Sequence, residues 1–173
     1  DESIHATWVD PLQFDSVKNG PPYLPEATVR VASDVHDHLD VFAELCAEYG
    51  DAERVELGAL LAILRAASTL HQTHHWQTRG SYFYGDHLLF ERLYNDSLGF
   101  IDQVAERAVG SGSRDLVSPR IQTQQIARLM GFWNSDVEAT SFDMVMRSLE
   151  AEKWVVSSLR LASSELNAKG KLS

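Results

Sequence analysis

Apolar residues along the chain recur every three or four positions and nowhere alternate over the length of a strand, a pattern that predicts helices only. Residues 33–49 read as a short helix. Ser33 or Asp34 would cap it, Val35, Leu39, Phe42, Leu45 and Cys46 fall at helical spacing, and Gly50-Asp51 ends it. A long helix follows over about 52–78, with Leu57, Leu61, Leu64, Ser68, His71 and His75 on one stripe. At about 1.5 Å per residue it would be roughly 40 Å long. Arg79-Gly80-Ser81 breaks it. The next helix opens at Gly85-Asp86, with Asp86 as its cap, and runs to about Val109 on a stripe of Phe90, Tyr94, Ile101, Val104, Ala105 and Ala108. A Gly/Ser loop follows at 110–114, then a short helix over 119–131 behind Pro119. A third long helix over about 141–168 carries Phe142, Val145, Leu149, Val156, Leu159 and Leu166 as its expected core stripe. Four of the five prolines lie before residue 28, so 1–32 reads as an extended Pro-rich arm and 33–173 as an all-α helical domain.

Composition sharpens this reading. Of 173 residues, 44% are hydrophobic and 23% charged, enough for a sizeable core. The net charge of −10 is uneven: residues 1–54 hold 12 acids against Lys18, Arg30 and Arg54, whereas 55–173 are nearly neutral. Such a balance argues against autonomous DNA binding, which needs surplus Lys and Arg to displace counterions from phosphates. Cys46 is the only cysteine, which excludes a disulfide framework or a CxxC metal motif. The longest apolar stretch, Leu57 to Leu64, falls far short of a membrane span. With no basic–apolar leader pattern at the N-terminus, a soluble cytoplasmic protein is expected. The first residue is Asp1 rather than Met, so the chain is expected to be processed or partial.

The chemistry gathers on the first two long helices, in His71, His74, His75, His87, Glu91, Asp102 and Glu106. An antiparallel hairpin would bring His75, at the end of one helix, to His87, at the start of the next. His87 and Glu91 are an i,i+4 pair, as are Asp102 and Glu106, and all four fall on one flank, about 100° round from the core stripe. Imidazole with carboxylate suits iron, zinc or manganese. His87 and Asp102, however, are about 22 Å apart along one helix axis and cannot share a metal within a subunit. Two copies packed antiparallel about a two-fold would bring the His end of one to the carboxylate end of the other, giving two identical sites per dimer.

The stretch His75-Trp76-Gln77-Thr78-Arg79-Gly80-Ser81-Tyr82-Phe83-Tyr84-Gly85-Asp86-His87, then Glu91, Asp102 and Glu106-Arg107, resembles the Dps family of mini-ferritins. The family pattern is H-W-x-x-x-G-x-x-F-x-x-x-H, a carboxylate four residues on, then D-x-x-x-E-R. The resemblance covers about 57–110 and is thin elsewhere. It implies a ferritin-like bundle with a di-iron ferroxidase site between subunits: His75 and His87 from one, Asp102 and Glu106 from the other, and Glu91 where the family more usually has Asp. It also implies Fe(II) oxidation by hydrogen peroxide, protection against oxidative stress, and iron storage within a homo-oligomeric, usually twelve-subunit, shell. The last long helix of that bundle has no counterpart before Ser173, and the family's lysine-rich DNA-binding tail is missing too.

Plainer readings stand beside these. Without the family pattern, the His75/His87/Asp102/Glu106 group reads equally as a structural polar interface. His71 reads as a satisfied core histidine, His74 as a surface residue, His36 and His38 as a solvated face, and Trp76 as core or interface packing. A ferritin-like structural subunit of a virion or compartment shell, with a vestigial site, is the alternative function. A mononuclear zinc or manganese binder is a weaker one.

Overall fold

A computed structural model describes residues 35–111, 113–133 and 139–170, with 35–37 in backbone only. The expected arm 1–32, the caps Ser33 and Asp34 and the side chain of His36 lie outside the described residues. The described chain is an all-α bundle: α1 Val35–Ala47, α2 Val55–Gln77, α3 Phe83–Gly110, a 3₁₀ turn Arg114–Val117, α4 Pro119–Phe132 and α5 Ser141–Ala168. Among the described residues no helix is long and apolar enough to cross a membrane.

Helix α2 is the axis of the fold. Every residue from Glu56 to Leu64 is buried, as expected of a helix apolar all round. Ala59, Ala62, Ala66 and Ala67 let neighbouring helices approach closely. Helix α3 returns along one side through the Gly80 turn, where φ is +84°. Helix α5 is also antiparallel to α2: Lys169 pairs with Glu56 at one end, and Ser148 meets His71 and His74 at the other. Helices α3 and α5 therefore run parallel to each other, on two sides of α2, and barely touch. Helix α1 lies against α2 and α5.

A buried polar network ties α4 to α2 and to the turn between α1 and α2. Tyr49 Oη donates to Gln125 Oε1 (3.0 Å), while Gln122 Nε2 donates to Tyr49 Oη (2.7 Å) and to the Gly58 carbonyl (3.0 Å). Burial pushes the Tyr49 phenol up to about 12 and the Cys46 thiol likewise to about 12, so both stay neutral. Gly58 is required here, since a Cβ would stand 2.7 Å from the Tyr49 ring. Thr140 and Asp143 form a reciprocal capping box at the start of α5. The hydrogen bonds from Thr140 hold the Asp143 carboxyl below its ordinary range.

Two expectations need correction. Helix α3 begins at Phe83, so Asp86 lies inside its first turn and Tyr82 is the cap residue. The buried face of α5 is Met144, Ser148, Ala151, Trp154, Ser158, Ala162 and Leu166. Of the expected stripe only Leu166 is buried; Phe142, Leu149, Val156 and Leu159 are exposed. Small side chains face α2 because the two backbones run close, and the bulky stripe is left outward.

Candidate metal centre

The α2–α3 turn joins His75 and His87. Their rings stack with centroids 3.8 Å apart at 27°. His75 Nδ1 lies 3.0 Å from the His87 carbonyl oxygen, and His87 Nδ1 lies 3.1 Å from that of His75. A carbonyl oxygen only accepts, so both Nδ1 atoms carry the proton and donate. In the neutral rings each Nε2 then keeps its lone pair, and neither makes a hydrogen bond among the described residues. A metal-binding imidazole ordinarily has its other ring nitrogen hydrogen-bonded in this way, which fixes its tautomer and ring orientation. Thr78 Oγ1 donates to the His75 carbonyl (2.9 Å) and lies 3.3 Å from His87 Nδ1. Phe83 stacks on His87 (5.0 Å) and Tyr94 meets His75 edge-on (5.4 Å), so aromatic rings flank the pair on both sides.

The carboxylates are elsewhere. Glu91 is half-buried one turn beyond His87, while Asp102 and Glu106 are exposed near the other end of α3. None of the three makes a hydrogen bond or ion pair among the described residues. Nor do any three His, Cys, Asp or Glu side chains among those residues gather into a metal-holding group within one chain. The single chain thus supplies two imidazoles at one end of α3 and two carboxylates about 22 Å away at the other. The flank of α3 that carries Glu91, Asp102 and Glu106 also exposes Tyr84, Leu88, Leu98 and Val109. Trp76, 69% exposed beside the pair, is not core packing.

Behind the pair lies a buried chain of hydrogen bonds. His71 Nε2 is 2.8 Å from Glu152 Oε1 and His71 Nδ1 is 3.1 Å from Ser148 Oγ, which is 2.9 Å from His74 Nδ1. With the Glu152 carboxylate accepting, one arrangement satisfies every member: His74 Nδ1–H to Ser148, Ser148 O–H to His71 Nδ1, His71 Nε2–H to Glu152. His71 is the satisfied core histidine expected. His74 is not a surface residue: it is 1% exposed and packs against Phe90. Burial, with His71 and Arg147 adding to it, pushes its pKa down to about 4. His38 is likewise buried rather than solvated, 2.9 Å from Glu150 and 4.3 Å from the Trp154 ring. Sequence reasoning missed Ser148, Glu152 and Glu150. The one available signal was the i,i+4 pair Ser148/Glu152 on the small-residue face of α5.

No protein-family model, curated protein or solved structure matches this chain.

Proposed function

We propose that the protein is a mini-ferritin of the Dps kind, a ferroxidase that binds and oxidises Fe(II) at a two-fold interface between copies. The observation that carries the reading is the reciprocally hydrogen-bonded His75/His87 pair, with both Nδ1 atoms spent on carbonyls and both Nε2 lone pairs free. Two imidazoles with carboxylates make a donor set suited to Fe(II) and, with no thiolate among them, to repeated oxidation. In an antiparallel pair of copies, Asp102 and Glu106 of the second copy reach the His75/His87 end of the first, and Glu91 adds a carboxylate beside it.

Iron here is substrate. Two Fe(II) each give one electron to hydrogen peroxide, which with two protons yields two Fe(III) and two waters, so no hydroxyl radical is released. His75 and His87 hold one ion, and Asp102 and Glu106 bridge or ligate and then pass Fe(III) inward for storage. On this reading the protein is a homo-oligomer, a dimer at each site and shell-forming beyond it. It protects a cytoplasm from peroxide.

The second reading is a structural subunit of a larger assembly, such as a virion or compartment shell, with a vestigial site. The outward apolar stripe on α5 favours it. Anaerobic Fe(II) titration by calorimetry, with light scattering on the same sample, separates the two. Two irons per dimer interface in a shell-sized homo-oligomer support the ferroxidase. No iron binding, or a particle that forms only with other proteins, supports the structural role.

A further inference from the structure

Helix α2 ends at the imidazole pair, and Thr78 is where its backbone ladder stops. The Thr78 N–H reaches back to the His74 carbonyl (3.0 Å), and the residue then turns out of the helix with φ −57° and ψ 136°. The next carbonyl, that of His75, is among the last of the helix, which lack intrahelical donors. It takes side-chain donors instead: the Thr78 hydroxyl at 2.9 Å and His87 Nδ1–H at 3.1 Å. Thr78 Oγ1 is also 3.3 Å from His87 Nδ1. A hydroxyl has one proton, and that of Thr78 is committed to the carbonyl, so toward His87 its oxygen only accepts. The His87 Nδ1–H is thus shared between two oxygens, both held by the end of α2. Thr78 is 6% exposed, so water does not readily take the place of its hydroxyl. The other ring differs. The carbonyl facing His75 Nδ1 is that of His87, inside α3, and needs no side chain to fix it.

We propose that Thr78 is a positioning residue of the iron site: its hydroxyl holds His87 in the Nδ1–H tautomer and so presents the Nε2 lone pair to Fe(II). The inference rests on the ferroxidase reading and adds to that site a residue that does not itself ligate. The hydroxyl does two things that an apolar side chain of the same shape cannot. It fixes the His75 carbonyl that receives the His87 proton, and it supplies a second acceptor for that proton. Which ring nitrogen of a histidine is free for a metal is set by the hydrogen bond the other makes. A methyl in place of the hydroxyl would stand 3.3 Å from the nitrogen, inside the usual apolar contact distance of about 3.5–4.0 Å. It would push the ring away while offering it no acceptor. The effect falls first on His87, since His75 Nδ1 has its own acceptor in α3.

The test compares Thr78→Val, which keeps the side chain's shape, with Thr78→Ser, which keeps the hydroxyl. In the full metal-free chain at about pH 8, where imidazoles are neutral, nitrogen-15 NMR should show the parent's His87 protonated at Nδ1 alone. Thr78→Val should add the Nε2–H form, and Thr78→Ser should restore the parent spectrum. Anaerobic Fe(II) calorimetry should show affinity falling about tenfold in Thr78→Val. In peroxide-dependent oxidation its KM for Fe(II) should rise by the same factor while kcat stays within about twofold, and Thr78→Ser should recover the parent KM. Gly58→Ala, toward the opposite end of α2, should lower stability without moving the His87 spectrum or KM. The proposal is overturned if Thr78→Val lowers only the urea midpoint and leaves the spectrum and KM at parent values, which would make the hydroxyl a helix cap and nothing more. It is equally overturned if Thr78→Ser behaves like Thr78→Val, or if Gly58→Ala shifts both readouts as far. A parent that binds no Fe(II) overturns the ferroxidase reading and the positioning role with it. Unchanged His87 spectra with Fe(II) binding intact in the parent overturn the positioning role alone.

Discussion

Replacing Ser148 with alanine removes the oxygen that both buried histidines of α2 share. In the folded protein Ser148 Oγ is 2.9 Å from His74 Nδ1 and 3.1 Å from His71 Nδ1, accepting from the first and donating to the second. The rings are 1% and 0% exposed, so water does not readily replace the oxygen. Each stranded ring nitrogen costs about 1–3 kcal/mol. Removal of the hydroxyl, itself buried, offsets part of that, leaving a net loss of about 2 kcal/mol for Ser148→Ala. The helix itself is not penalised, since alanine is the better helix former. Equilibrium urea unfolding near pH 7.5, followed by circular dichroism, should show the midpoint lowered by about 1 M with an unchanged slope. Ser148→Thr, which keeps the oxygen, should recover part of the loss. A midpoint for Ser148→Ala within about 0.2 M of the parent would refute the hydrogen-bond chain as drawn.

Three other perturbations have definite expected outcomes. His74 has its pKa depressed to about 4 from 6.5, so the unfolded chain takes up the proton first. Its contribution is complete above about pH 6.5 and is lost as pH falls toward 4, on the order of 3 kcal/mol over that window. Metal-free protein should therefore lose urea stability between about pH 6.5 and 4.5 more steeply than His74→Gln; parallel profiles would contradict this. Gly58→Ala drives a Cβ to 2.7 Å from a Tyr49 ring held by Gln122 and Gln125. It should cost about 2 kcal/mol, and a melting temperature within about 1 °C of the parent would argue against that close approach. Thr140→Ala removes the capping box of α5 and should cost about 1 kcal/mol by urea unfolding; an unchanged midpoint would count against it.

Helix spans were legible because their punctuation is local. Gly50, Gly80 and Pro119 interrupt the apolar periodicity, and the helices end or begin beside them. The His75–His87 contact was legible for a related reason, since a short turn between antiparallel helices leaves the flanking residues little choice of neighbour. Facing was harder. On α5 the bulky stripe was read as core, whereas burial follows Ser148, Ala151, Ser158 and Ala162, whose small size lets α5 lie close to α2. Periodicity gives an amphipathic angle but does not say which of two candidate faces a neighbour covers. His74 failed differently: α2 is enclosed on nearly every side, so a position off the stripe is buried too. The partner of His38, Glu150, lies 112 residues away in sequence, and no spacing rule reaches that far. The pairing of His75 and His87 with Asp102 and Glu106 depends on a second copy, which one chain's periodicity constrains only through the length of α3.

The most direct test of the shared iron site is complementation between two inactive variants. One carries His75→Ala and His87→Ala, the other Asp102→Ala and Glu106→Ala, and each alone should fail to speed peroxide-dependent Fe(II) oxidation. Unfolded together in equal amounts and refolded, half of the random dimers are mixed. Each mixed dimer holds one intact site, so about a quarter of the parent rate should return. A mixture as inactive as its components, or either variant active alone, would contradict a site built from the imidazoles of one copy and the carboxylates of another.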